Sequence, residues 1–212
     1  MIFYDELLTP FLSKDPLRPD LNVPTTQTID DTPYVFATDV HHIIRIPQSH
    51  CMNAYAPQAK HNFQVIWPSG ERLRATPLAI SAAHLREAIE QVPLENIYET
   101  LPCPKCDGEG SIECPCCEAT SDCKECDGDG VKKGKLLGTQ REEYPHVSIR
   151  NIHFNARLLT NLLSVGEALG EPILLITDHD QSRIAVFAIG DIRVGIMPMM
   201  HTPSTESIVV KI

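Results

Sequence analysis

The most useful features of this chain at first sight are the ones it lacks. No apolar run in its 212 residues approaches the roughly 18 to 20 that a membrane span requires. The opening stretch MIFYDELLTPFLSKD carries acids where a secretory signal has a basic region, which points away from export and toward the cytoplasm. There is no GxxxxGK[ST] phosphate loop, no GxSxG elbow and no HExxH helix, so the best-marked nucleotide, acyl-transfer and zinc-protease chemistries are excluded. Positive charge is scarce as well. The chain holds 18 Lys+Arg against 28 Asp+Glu, a net −10, and residues 101–130 alone contribute −6. A surface of that sign repels phosphates, so this middle block is not a direct reader of nucleic acid, and a polypeptide partner suits it better.

What is present is an ordinary globular composition, 42% hydrophobic and 22% charged, interrupted by one unusual stretch. CPKCDGEGSIECPCCEATSDCKECDGDG, residues 103–130, holds seven of the eight cysteines. In a reducing compartment, CxxC pairs read as metal ligands rather than disulfides. Two cysteines three apart can grip one ion from a tight turn, and two such turns complete a closed tetrahedral site. The spacing C-x2-C-x16-C-x2-C, from Cys103 and Cys106 to Cys123 and Cys126, lies in the usual range for zinc. The expected ligands of one structural Zn²⁺ are therefore Cys103, Cys106, Cys123 and Cys126. Cys114, Cys116 and Cys117 are too few for a second all-Cys site. They stand as spare thiols or alternative ligands, with Cys114 and Cys117 the weaker candidates for a second ion.

Around this block the pattern is that of an α+β protein. Helical signals cover residues 4–14, where Leu7, Leu8, Phe11 and Leu12 form a stripe blurred by Pro10. A clearer one is SAAHLREAIEQV, with Ser81 as N-cap and Leu85, Ala88, Ile89 and Val92 on one face. A third is FNARLLTNLLSVGEALG, capped by Asn155 and ended by Gly170. Strand signals cover 34–46, 62–67 and 144–150, and three short strands within 172–199 turn at Asp178–Ser182 and Gly190–Asp191. SIVVKI closes the chain. Runs of adjacent strands between helices point to a largely antiparallel sheet. Residues 102–138 read as an insertion, which leaves residues 1–101 plus 139–212 as one discontinuous core, long enough for a single hydrophobic interior.

No residue set makes a convincing catalyst. His41 and His42 lie on opposite faces of an extended pattern. His50–Cys51 invites a thiol–imidazole reading, but adjacency in sequence favours a partly buried structural pair. The DHD triplet at 178–180 reads as a hairpin turn rather than a cation site. The expected catalytic set is empty, and the chain is read as a non-enzyme.

Two resemblances add to this reading. CPKCDGEG and CKECDGDG resemble the CxxCxGxG repeats of the cysteine-rich zinc ribbon of J-domain (DnaJ-type) chaperones, a family that uses four such repeats to hold two zincs, pairing first with fourth and second with third; here CPCC stands where the inner pair would be. The resemblance implies the same four ligands, although no J-domain signature occurs elsewhere. The flanks resemble bacterial DNA sliding clamps, the beta subunit of DNA polymerase III. YVFATDVHHIIRI resembles the "ATDGHRL" strand pair of that family, and IHFNARLLTNLLSVGEALGEPILLITDHDQSRIAVFAIGDIRVGIMPM resembles its final part ending in "MPMR". This implies a clamp-like core, helices packed on curved antiparallel sheets, carrying an inserted zinc ribbon. By the same resemblance Thr38, His41, Met197, Pro198 and Met199 line a pocket for short peptides of polymerases and repair enzymes. Val40, His42 and Met200 depart from the motif, standing for its Gly, Arg and final Arg.

The expectation is thus a non-catalytic, clamp-like accessory protein of DNA replication or repair. Its zinc ribbon docks a protein partner, and DNA contact is indirect or comes through assembly, a homo-oligomer included. The alternative is a zinc-stabilised protein-interaction adaptor or chaperone-like module with no DNA role.

Overall fold

A computed structural model describes residues 4–57, 60–67, 73–114, 116–117, 119–177, 183–200 and 207–211. The chain divides into two compact units, Met1–Pro93 with Arg141–Ile212, and Leu94–Gln140.

The larger unit is built on a seven-stranded sheet. Its strands are β1 (Thr25–Ile29), β2 (Thr32–Thr38), β3 (His42–Pro47), β4 (Leu73–Ile80), β11 (Ile173–Thr177), β12 (Ala185–Ile189) and β13 (Ile192–Ile196). They lie side by side in the order β1-β2-β3-β13-β12-β11-β4, every neighbour antiparallel. A three-stranded sheet of β10 (Ile152–Phe154), β9 (His146–Ile149) and β14 (Ser207–Val209) completes the unit, with β14 parallel to β9. Two pairings join the early strands to the late ones: β3 with β13, Ile44 opposite Val194, and β4 with β11, Ile80 opposite Ile173. Residues 41–43 and 195–197 are therefore brought together from distant parts of the sequence.

Two α-helices cover the inner face. Helix α1 (Ala82–Glu90) starts at Ser81, whose hydroxyl accepts from the His84 N–H, and buries Leu85, Ala88 and Ile89. The capping satisfies one of the orphan amides that every helix start leaves. Helix α2 (Ala156–Leu169) starts at Asn155, which accepts from the Arg157 N–H, and ends at Gly170 in the left-handed region, φ 65°. Leu158, Leu159, Leu162 and Leu163 face the core, and Gly166 packs so closely on β11 that an added Cβ would meet the Ile173 side chain at 2.8 Å. Both helices share one hydrophobic core with Phe154, Phe187 and the inner residues of β2, β3 and β13, so α1 belongs to this unit and not to the Cys-rich one.

Some expectations change. The N-terminal segment is a 3-10 helix, Tyr4–Phe11, with Leu8 and Phe11 buried and Pro10 inside it. NFQVIW is not a strand but a 3-10 turn, Phe63–Ile66, started by the Asn62 side chain accepting from the Gln64 N–H. Phe63, Ile66 and Trp67 pack against Phe36 and Ile43 on the outer face of the sheet, an i, i+3 pattern that a short run cannot distinguish from alternation. The turn expected at 178–182 lies outside the described residues. Among the described residues, no helix is long and apolar enough to cross a membrane.

The smaller unit is wider than the 102–138 expected. A two-stranded ribbon of β5 (Leu94–Pro102) and β8 (Val131–Arg141) carries it, and these strands bring in residues on both sides of the cysteines. A short hairpin of β6 (Ser111–Glu113) and β7 (Thr120–Asp122) lies between them.

Candidate metal centre and apolar cleft

In the smaller unit, each CxxCDGxG stretch folds into the same turn. Cys106 O accepts from Glu109 N, and Cys126 O accepts from Asp129 N, both at 2.9 Å. Cys103 N donates to Gly130 O and Cys123 N donates to Gly110 O, both at 2.8 Å, so each turn is tied to the other by a matching bond. The two are related by a local twofold. The glycines are obligatory there: Gly110 and Gly130 have φ 77° and 73°, and a Cβ on either would lie 2.2 or 2.3 Å from the partner turn's carbonyl oxygen.

This symmetry converges four sulfurs. Cys103, Cys106, Cys123 and Cys126 are buried, and their Sγ atoms all lie within 4.8 Å of one another. Cys103 and Cys123 Sγ are 3.9 Å apart, and Cys106 and Cys126 Sγ 3.7 Å. A tetrahedral zinc with Zn–S near 2.3 Å sets its sulfurs about 3.8 Å apart, so the set fits that ion without rearrangement. Gly110 N–H and Gly130 N–H donate to Cys106 and Cys126 Sγ at 3.3 Å, the second-sphere bonds that stabilise thiolate charge. Burial raises the Cys103 thiol, but backbone donors at Lys105 and Cys106 and the neighbouring sulfurs bring it down to about 7; burial pushes Cys126 up to about 12. A dication in the centre would hold all four as thiolates. The site is closed, and a metal such as zinc there would be structural.

Cys114, Cys116 and Cys117 do not join this set. They form a separate group at the tip of the β6–β7 hairpin, their sulfurs within 4.8 Å of one another. Cys51, the remaining cysteine, is in the larger unit. Its thiol is pushed up to about 11 by burial and by the nearby Asp5 carboxylate, the reverse of what a nucleophile needs.

In the larger unit, the loop between β2 and β3 is held by a polar relay. The Thr38 hydroxyl donates to His42 O at 2.7 Å and accepts from Val40 N at 3.0 Å. Asp39 Oδ1 accepts from the His41 and His42 amides and from His42 Nδ1, the last at 2.6 Å. The Asn161 amide donates to His42 Nε2 at 2.9 Å, which places the imidazole proton on Nδ1. Burial raises the Asp39 carboxyl, but the His42 ring and the two amides outweigh it and hold the group below its usual range. His42 is buried against Phe11 and His41 is exposed, on the opposite side.

At the centre of this loop sits Val40 with φ 85°. A β-branched residue in that region is a genuine outlier, and its side chain is half exposed rather than held in the core. It overlooks an apolar cleft of about 440 Å³ lined by Leu21, Thr38, Ile43, Phe63, Val65 and Met197, among others. Of the five residues expected at a peptide pocket, Thr38 and Met197 line this cleft; His41, Pro198 and Met199 do not. Met197 N donates to His41 O at 2.9 Å, so the two motifs are adjacent, while Met199 turns away to pair with His153. The contribution of Phe63 and Val65 is not foreseen in the sequence pattern, although their apolar character next to a tryptophan is a usable signal.

No protein-family profile matches the chain, and no curated protein is similar to it in sequence. Solved structures are similar in shape. Caulobacter crescentus pol III beta superposes with a TM-score of 0.50 at 13% identity, over 95% of this chain and 65% of that one. A Helicobacter pylori beta clamp bound to a DNA ligase peptide gives 0.49 at 12% identity, over 93% and 62%. The sliding clamp (DNA polymerase III subunit beta) of Bartonella birtlesii gives 0.48 at 13%, over 93% and 64%. The chain thus spans less than two thirds of the length of the clamps it resembles. At 13% identity the Caulobacter likeness establishes the architecture, which is that of a bacterial DNA sliding clamp.

Proposed function

We propose that this protein is a non-catalytic, clamp-fold accessory factor of DNA replication or repair, working in the cytoplasm, that holds partner proteins at two places. The larger unit takes a short apolar peptide of a partner in the cleft between the Thr38–Ile43 loop and Met197. The smaller unit holds one structural zinc and offers its rigid turns to a second protein surface. The observation that carries this reading is the convergence, from distant parts of the sequence, of the ATD loop and the MPM segment on one apolar cleft. Cys103, Cys106, Cys123 and Cys126 are the zinc ligands of the reading; Thr38 and Met197 are its peptide contacts. DNA proximity comes through the bound partner or through assembly into a ring or half-ring.

The test is fluorescence anisotropy with a labelled short peptide carrying leucine and phenylalanine anchors. Saturable binding to the wild-type chain, weakened at least tenfold by Met197→Glu, is the expected result. Absence of binding, or equal binding by the variant, sinks the peptide cleft.

A second reading has an observation of its own. Arg86, the clearest cation on α1, is ion-paired with Glu167 of α2, and the chain's net charge is −10. This favours a zinc-stabilised interaction adaptor with no DNA role. Molar mass by light scattering, followed by retention on circular against linear DNA at two salt concentrations, separates the readings. A defined multimer retained on circles supports the first; a monomer that ignores DNA at low salt supports the second.

A further inference from the structure

On the outer face of the seven-stranded sheet, one cation is held by aromatic rings. The Arg45 guanidinium lies 4.4 Å from the Tyr34 ring centroid and 4.7 Å from that of Trp67. Phe36, directly opposite Arg45 on β2, packs against both rings. Across the other pairing of β3, the residue opposite Arg45 is a second arginine, Arg193 of β13. Like charges directly opposite one another destabilise a sheet. Burial, with the Arg193 charge behind it, holds the Arg45 guanidinium below its usual range, and Tyr34 and Asp30 offset only part of this. Arg193 is engaged locally, its Nη1 donating to Gly190 O at 2.7 Å and Ile192 O at 2.8 Å. Arg45 Nε and Trp67 Nε1 are buried, and among the described residues no acceptor takes either.

The position of this cation matters as much as its state. Ile43, two residues back on the same face of β3, lines the apolar cleft, and so does Ile66, the chain neighbour of Trp67. Two residues along a strand span about 7 Å, so the guanidinium stands that far beyond Ile43, on the side away from the Val40 loop. We infer, on the footing of the peptide cleft proposed above, that Arg45 recognises a carboxylate at the end of this cleft: an aspartate or glutamate side chain of the partner peptide, two residues from its apolar anchor. Ring faces hold a guanidinium by its flat sides and leave its edge for a planar acceptor, and a carboxylate fits that fork with two parallel bonds. In an extended peptide residues i and i+2 point the same way, so an anchor over Ile43 sets the acid over Arg45. Phosphate is the other anion of suitable geometry, but the surface that continues from Arg45 is apolar, and a peptide supplies both parts. On a chain of net charge −10, the Arg45–Arg193 pair is a local exception that attracts such an acid and fixes the peptide's register.

The experiment is fluorescence anisotropy of the full chain with three labelled peptides that share leucine and phenylalanine anchors. One, amidated at its C-terminus, carries glutamate two residues before and two after the leucine. The second carries glutamine at both places, and the third is the glutamine peptide ending in a free carboxylate. The glutamate peptide should bind about tenfold more tightly than the amidated glutamine one. Arg45→Met, which keeps an apolar stem, should erase that preference. Equal binding of the two by the wild type, or a preference that survives Arg45→Met, overturns the Arg45 pairing and leaves the cleft standing. Failure of all three peptides sinks cleft and pairing together. A free-carboxylate peptide as tight as the glutamate one shows that a chain end is read, and overturns the side-chain assignment. Arg45→Lys covers a Met variant that fails to fold: it keeps the charge without the planar fork, so only part of the preference should remain, and a full preference overturns the two-bond contact. Glu71, four residues after Trp67 in the sequence and outside the described residues, is the internal control. Glu71→Gln should leave the preference unchanged; a gain in affinity means that the chain's own carboxylate fills the site, and overturns it.

Discussion

The two units solve the problem of being folded in opposite ways. In the larger one, thirty buried apolar side chains form a single cluster between two sheets and two helices. In the 47 residues Leu94–Gln140, the buried cluster is Cys103, Cys106, Cys123 and Cys126, with Ile112 partly buried beside them. A chain segment of that size rarely buries enough apolar surface to offset its ordering entropy, and metal or disulfide is the usual remedy. The ribbon even leaves Leu94, Leu101, Leu136 and Leu137 exposed. The lesson is that one chain can carry a unit with a broad apolar core and another whose buried cluster is four cysteines placed as metal ligands.

That contrast can be broken most directly by removing the metal. Structural zinc contributes on the order of 10 kcal/mol or more to the folding of small domains at neutral pH. Chelation, or Cys126→Ser, should abolish amide-exchange protection across Leu94–Gln140 while the strands and helices of the larger unit keep theirs. Hydrogen exchange read by mass spectrometry checks this, and loss of protection in both units would refute the division. The converse is a cavity in the larger unit. Leu159→Ala, at a fully buried position on α2, should cost about 2 to 5 kcal/mol in denaturant unfolding. Zinc content of the remaining folded protein should not change.

Smaller effects sharpen the comparison, because the larger unit also has a place held by polar contacts, the Thr38–His42 loop. Asp39→Asn should destabilise by about 1.5 to 3 kcal/mol, the scale of hydrogen bonds to a charged group. The sign with pH follows from the depressed Asp39 carboxyl. Its contribution is fully present above the unfolded value near 3.9 and is lost as pH falls through the lower folded value. An acid titration of stability should therefore show the wild type losing, below about pH 4, an advantage over Asp39→Asn that is constant at neutral pH. Smallest of all is Val40→Gly, which relieves a β-branched residue at φ 85° and should stabilise by about 1 kcal/mol. The same change should weaken the apolar peptide's binding, since Val40 overlooks the cleft. A variant that is both more stable and equally tight-binding would leave the strain without a role.

Legibility followed range along the chain. Helices α1 and α2 were readable because their signals are local: Ser81 and Asn155 cap, Gly170 terminates, and the leucines recur at helical spacing. The convergence of Cys103, Cys106, Cys123 and Cys126 was readable for the same reason, since CxxC turns are self-contained. Strands β1, β4, β5 and β8 were not anticipated. LRATPLAI and VKKGKLLGTQR lack clean alternation, and they are strands because a neighbour is available to pair with them. Phe63–Ile66 was misread because four residues rich in apolar side chains fit either period. Of the five pocket residues, two line the cleft, since the backbone direction after Met197 depends on its pairing with His41 and then of Met199 with His153.

By itself, the sequence determined which segments could be helices, which four cysteines belong together, and that the middle of the chain is acidic. These follow from spacing, capping and charge, all properties of residues close in the chain. Only the tertiary structure decided where the smaller unit begins and ends, that β3 meets β13, and that Val40 and Met197 share one cleft. The first depends on β5 finding β8 across the cysteine-rich segment, and the other two on contacts between residues more than a hundred positions apart, whose pairing is chosen by the burial of the whole core rather than by any local preference.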